Sequence, residues 1–239
     1  MAGTITAANL LLRIRDTLQD TTGIRWLDAE LLRYMNDAQR EIVNLRPESS
    51  STTANVALVV GTAQTIPAAG LRLIKVVRNM SAAGGSATGK RAIRIVDREI
   101  LDTQEPDWHD PTVGGDATHA TTVKHYIFDE DDPRRFYVYP GASTTSTFIE
   151  IVYSTAPTDF ANTSSATMFV DDVYANALID YVLYRSYMKD AEFAGNQQRA
   201  SSHYQLFVGS VTQGGQVSIM VSPNTDSMGL MAPQQQGAV

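Results

Sequence analysis

The chain has 239 residues, 43% of them hydrophobic, with 19 Lys and Arg against 26 Asp and Glu for a formal charge of -7, and no cysteine. This length supplies one large core or two small ones, and the missing thiols exclude disulfides and thiolate metal sites. The acidic balance argues against tight non-specific nucleic-acid binding, which needs cations to neutralise phosphates.

The opening residues "MAGTITAANLLLRIRD" lack a basic stretch followed by a long apolar core, and no run approaches the roughly 18 apolar residues of a membrane span. A soluble, unexported chain is expected. In "TAANLLLRIRDTLQD", Leu10 or Leu11, Ile14 and Leu18 fall at helical spacing, and "TTG" at 21–23 closes this first helix. The stretch "WLDAELLRYMNDAQREIVNLRP" reads as a second helix. Asp28 is placed to cap it, Glu30 favours its dipole, and Pro47 ends it. Leu31, Met35, Ala38, Ile42 and Leu45 make a narrow apolar seam, and Arg33, Asp37, Arg40, Glu41 and Asn44 form the solvated face. Trp26, just before the cap, is placed to fold back over the first turn.

After Pro47 the pattern changes to short β-branched or aromatic runs broken by Gly, Pro and Asp. Strands are expected in "NVALVV", "LRLIKVVRN", "AIRIV", "TVKHYIF", "RFYVYP" and "FIEIVYS", with "HYIFDEDDPRRFYVYP" as a hairpin. "DREILDTQEPDW" reads as a short helical turn capped by Asp97. Helix returns in "VDDVYANALIDYVLYRSYMKDA", capped by Asp171 or Asp172 and apolar on most of its circumference. A fourth helix carries Phe193, Gln197, Ala200, Tyr204, Phe207 and Val211 as a second narrow seam, the natural partner of the seam at 31–45.

The expected class is α+β: a four-helix bundle built from both ends of the chain (1–48 and 166–212) with an inserted antiparallel β domain (49–165). Residues 213–239 hold Gly, Gln, Ser and Pro with Asp226 as the single charge, and read as an extended, partner-binding tail. Its Val217, Ile219, Met220, Val221, Met228, Leu230 and Met231 are the candidate contacts, since flexible thioethers suit an adaptable surface.

No motif for catalysis stands out. "GGSATGK", Gly84 to Lys90, satisfies G-x-x-x-x-G-K, but Arg91 follows where a phosphate loop needs Ser or Thr and a helix. His109, His119, His125 and His203 do not match metal-ligand spacings. Asp129 to Asp132 lack the loop and terminal Glu of a calcium site, and no G-x-S-x-G elbow occurs. Neither cofactor nor metal is expected. Trp108, in a loop between prolines, is a lid over the β core or an interface residue. Tyr184, Tyr187 and Arg185 are candidates for a subunit interface.

The ordered series "WLDAELLRYMNDAQREIVNLRP", "VDREILDTQEPDW", "DEDDPRRFYVYPGA", "IEIVYSTAP" and "DDVYANALIDYVLYRSYMKD" resembles the phage adaptor, or head-to-tail connector, proteins of short-tailed bacteriophages. The resemblance covers residues 20–210. It implies a helical bundle with an inserted β domain, and a homo-oligomeric ring, dodecameric in such proteins, between the portal protein and the next tail or nozzle protein. It further implies a structural virion role without catalysis, no membrane partner, and DNA passing through the channel without specific binding. The tail would then reach the portal. The alternative is a virion binding module whose β domain contacts a receptor or glycan.

Overall fold

A computed structural model describes residues 3–112, 118–128, 131–193 and 195–220, with side chains to residue 212. The protein is mixed α+β, and the chain divides into two compact units: Met1–Arg46 with Asp159–Val239, and Pro47–Thr158.

The first unit contains α1 (Ala7–Leu18), α2 (Asp28–Leu45), α4 (Ala175–Lys189) and α5 (Asn196–Met220). Thr6 caps α1 by accepting from Asn9 N, and Gln19 ends it in the left-handed region at φ 55°. The turn to α2 is built on Asp20, whose carboxylate accepts the N–H groups of Ile24, Arg25 and Trp26 at 2.9–3.0 Å. Gly23 is required there: its φ is 69°, and a Cβ would lie 2.5 Å from the Arg15 guanidinium. α2 starts on Leu27 without a side-chain cap. Asp28 is therefore its first residue and not its cap, because its carboxylate is taken by Arg15. Trp26 is buried in the helical core, as its position before α2 suggests.

The α2 seam is observed at Leu31, Met35, Ala38 and Ile42, all fully buried, while Leu45 is 40% exposed. Burying Leu31, Met35 and Ile42 is worth about 2 kcal/mol each. The seam does not chiefly meet α5, as its spacing had suggested; α2 packs mainly on α4, which also carries α5 and α1. α4 is apolar around enough of its circumference to serve several neighbours, with Ala177, Leu178, Ile179, Tyr181, Val182 and Leu183 all buried. The α5 seam narrows to Ala200, Phe207 and Val211. Gln197, Tyr204 and Phe193 are exposed, and Phe193 precedes the helix. Asp171 caps a 3-10 turn at Asp172–Tyr174 that leads into α4, while Asp172 accepts from Thr4 and Ile5 and ties down the amino-terminal arm. α5 continues to Met220, so the first part of the segment expected to be extended is helical, and residues 221–239 lie outside the described residues.

The second unit holds β1 (Ser51–Ala57), β2 (Gly61–Thr65), β3 (Gly70–Met80), β4 (Gly89–Ala92), β5 (Arg94–Ile95), α3 (Arg98–Gln104), β6 (His125–Phe128), β7 (Arg135–Ala142) and β8 (Phe148–Thr155). They form two four-stranded sheets, β1-β8-β3-β4 and β2-β7-β6-β5. Among the described residues the named strands pair antiparallel except β5 with β6, which is parallel, a departure from the expected antiparallel domain. The segment joining those two strands contains α3, the kind of long crossover that a parallel pair requires. α3 is capped as expected by Asp97, which accepts from Glu99 N at 3.0 Å. The β6–β7 hairpin also forms, from His125↔Tyr139 to Phe128↔Phe136. β1 begins in the Ser- and Thr-rich stretch and stops at Ala57, leaving Val59 and Val60 exposed in a turn. Gln64 on β2 holds that turn through Val59 N, Val59 O and Gly61 O.

Candidate functional site

A polar face with several side-chain bonds lies where α2 packs on α4. Glu30 and Tyr34 on α2, and Arg185 and Lys189 on α4, are each one helical turn apart, so each pair shares a face. Lys189 Nζ donates to Glu30 Oε2 at 2.7 Å, and Tyr34 Oη donates to Glu30 Oε1 at 2.8 Å. The Lys189 ammonium holds the Glu30 carboxyl below its ordinary range. Burial, reinforced by the Glu30 carboxylate, pushes the Tyr34 hydroxyl up to about 12. Arg185 lies over the Tyr34 ring at 5.1 Å, donates to Tyr181 Oη at 3.4 Å, and stands 3.8 Å from Asp37. Arg40 continues the ladder to Asp37 and to both oxygens of Asp159. Each exposed pair adds little stability alone, and the ladder's effect rests on several charges acting together.

Tyr184 and Tyr187 lie on the adjoining side of α4 and face α5. Tyr184 packs against Tyr204 with ring centroids 5.0 Å apart, Tyr187 stacks on His203 at 5.7 Å, and Tyr181 meets Phe207 edge-on at 5.1 Å. His203 Nδ1 is 2.9 Å from Asp180 Oδ1. The three α4 candidates, Tyr184, Arg185 and Tyr187, are thus brought together, half-buried, each with a packing partner inside its own chain. The charged ladder on α2 was readable from spacing only as a solvated face; the spacing of Glu30–Tyr34 and Arg185–Lys189 was the available signal.

Trp108 belongs to the other unit and is completely buried there, with Leu101, Ile127 and Tyr139 around it. Its Nε1 donates to Asp102 at 2.8 Å and its ring stacks on His109 at 3.6 Å. Trp108 is thus enclosed in the small core beside α3. His109 Nδ1 contacts Thr62 Oγ1 at 2.7 Å, and burial pushes its imidazole below the ordinary value. Lys90 and Gly89 lie in β4, so no helix N-terminus follows the "GGSATGK" loop. Val217, Ile219 and Met220 lie on the α5 backbone with side chains outside the described residues; Val221, Met228, Leu230 and Met231 lie outside them altogether. No helix among the described residues is long and apolar enough to cross a membrane.

A comparison with curated proteins found no match. The model of the SU10 adaptor protein family matches residues 5–225. That match spans both units and nearly the whole length, so the chain belongs to the SU10 adaptor protein family of phage adaptors.

Proposed function

We propose that the protein is a structural subunit of a ring joining the portal protein to the tail, continuing the DNA channel and providing the platform for the next tail or nozzle protein. The observation that carries this reading is the adaptor-family match over residues 5–225. In it the helices at both ends of the chain form a four-helix bundle (1–48 and 166–212), the β domain (49–165) is an insertion, and the ring is a dodecamer. Neighbouring subunits meet through Tyr184, Arg185 and Tyr187. Val217, Ile219, Met220, Val221, Met228, Leu230 and Met231 reach the portal from the segment at 213–239. The protein takes no part in catalysis and acts at the head-tail junction after assembly in the host cytoplasm. Its net charge of -7 suits a wall past which DNA slides without sticking. Head-to-tail contacts of this kind close into a ring when the rotation per subunit fits.

The test is to mix the purified chain with portal and image the product. A ring stacked on the portal is the expected result; a discrete monomer that ignores the portal refutes the proposal.

A further inference from the structure

At the start of α5 the helical unit carries an open cavity of about 370 Å³ whose walls include Arg25, Trp26, Tyr187, Asp190, Phe193 and Arg199. Arg25 is held in place from several sides. Its Nε stands 2.7 Å from Asp190 Oδ2 in an ion pair, and its guanidinium carbon lies 5.1 Å from the Trp26 ring centroid and 4.7 Å from that of Phe193. Arg199 lies over the Tyr187 ring at 5.8 Å and forms no ion pair among the described residues. Stacked guanidinium groups keep their N–H edges available in a fixed plane, the geometry that recognises an oxyanion.

Two further features point the same way. α5 is preceded by Gly195, which has no side chain to cap it, and the Asn196 amide is directed to Asp190 O at 3.2 Å. The positive end of this long helix therefore adds to the two arginines. Trp26 is only 6% exposed, yet its Nε1 has no hydrogen-bond partner. A buried donor without an acceptor is costly, and it lies in a residue that lines this same cavity.

We propose that this cavity binds a carboxylate presented by an acidic segment of a partner protein, flanked by apolar side chains. Two guanidinium groups against the one carboxylate of Asp190 leave a single positive charge, which one carboxylate balances and a phosphate dianion exceeds. The surroundings suit a peptide: Phe193 is 59% exposed, and Ile24 and Met188, next in sequence to Arg25 and Tyr187, are exposed as well. The site stands whether or not the chain forms a ring on the portal.

The two tryptophans give two indole N–H signals in a nitrogen–proton NMR spectrum of the full chain, one from the cavity and one from Trp108, which is bonded to Asp102. Titration with N-acetyl-Leu-Glu-Leu-amide shifts the Trp26 signal saturably and leaves Trp108 still. Replacing the peptide's Glu by Gln, or Arg199 by Ala, weakens binding about tenfold or more, the loss expected of a charge-assisted hydrogen bond. Arg199 is exposed, so Arg199→Ala keeps the dispersed spectrum of the folded chain. Arg25→Lys provides a second variant that retains the charge but loses the planar fork, and it also weakens binding. A Trp26 signal that ignores the Glu peptide, or responds equally to the Gln peptide, overturns the proposal. Inorganic phosphate binding more tightly than the peptide overturns it as well.

Discussion

Asn79 on β3 is a buried polar side chain of the β unit. It is 2% exposed; its Nδ2 donates to Val123 O at 2.8 Å and to Arg91 O at 3.0 Å, and its Oδ1 accepts from Val123 N at 2.8 Å. Val123 is fully buried and leads into β6, so Asn79 joins a strand of one sheet to the approach to a strand of the other. Asn79→Ala leaves both backbone polar groups of Val123 without a partner. At about 1–3 kcal/mol for each stranded group, the expected loss is about 4 kcal/mol. For a unit of this size that corresponds to a fall in Tm of about 15 °C in scanning calorimetry. Hydrogen exchange adds a local readout, because the Val123 amide should lose most of its protection. Asn55→Ala is the control: Asn55 makes one long bond, to Gly84 O at 3.5 Å, and its loss should cost under about 0.5 kcal/mol. A loss below about 1 kcal/mol for Asn79→Ala, with Val123 still protected, would refute the reasoning.

The Asp20 carboxyl is held below its ordinary value chiefly by the N–H of Trp26, with those of Ile24 and Arg25 adding. A depressed folded pKa gives stability that is present above the unfolded value near 3.8 and is lost as the pH falls through the lower folded value. Asp20→Asn should therefore destabilise the helical unit at pH 7 in urea titrations, with the gap to wild type closing at strongly acidic pH; a gap independent of pH counts against this account. Phe207 is fully buried against Tyr181, and Phe207→Ala should cost about 3–5 kcal/mol in the same titrations, while Leu206→Ala, at a 57% exposed position, should cost little. Ending the chain after Thr212 should leave the melting of both units intact and abolish stable attachment to portal in a co-sedimentation assay; unchanged attachment refutes the role proposed for residues 213–239.

Elements whose signals are local were readable in the sequence. The α2 seam, the Asp97 cap of α3, the β6–β7 hairpin and the apolar α4 each depend on spacing or on one side chain meeting nearby backbone. β2 was missed because "GTAQT" has neither branched apolar residues nor an unusual turn, and it becomes a strand only by pairing with β7. Asp28 looked like a cap until Arg15, thirteen positions earlier, claimed its carboxylate. The α4 candidates Tyr184, Arg185 and Tyr187 were chosen for residue type, yet their geometry is set by Tyr34, Tyr204 and His203 on other helices.

The sequence alone determined where the helices of both chain ends begin, where a β-rich segment interrupts them, and the ordered motifs that resemble phage adaptors. Periodicity exposes a buried face because burial repeats with the backbone. Only the tertiary structure decided what each face meets: α2 on α4, β5 parallel to β6, Trp108 enclosed in its own unit, and Arg25 and Arg199 around one cavity. Those choices rest on packing and pairing between residues far apart in the chain, where many partners satisfy the same period and only simultaneous burial selects among them.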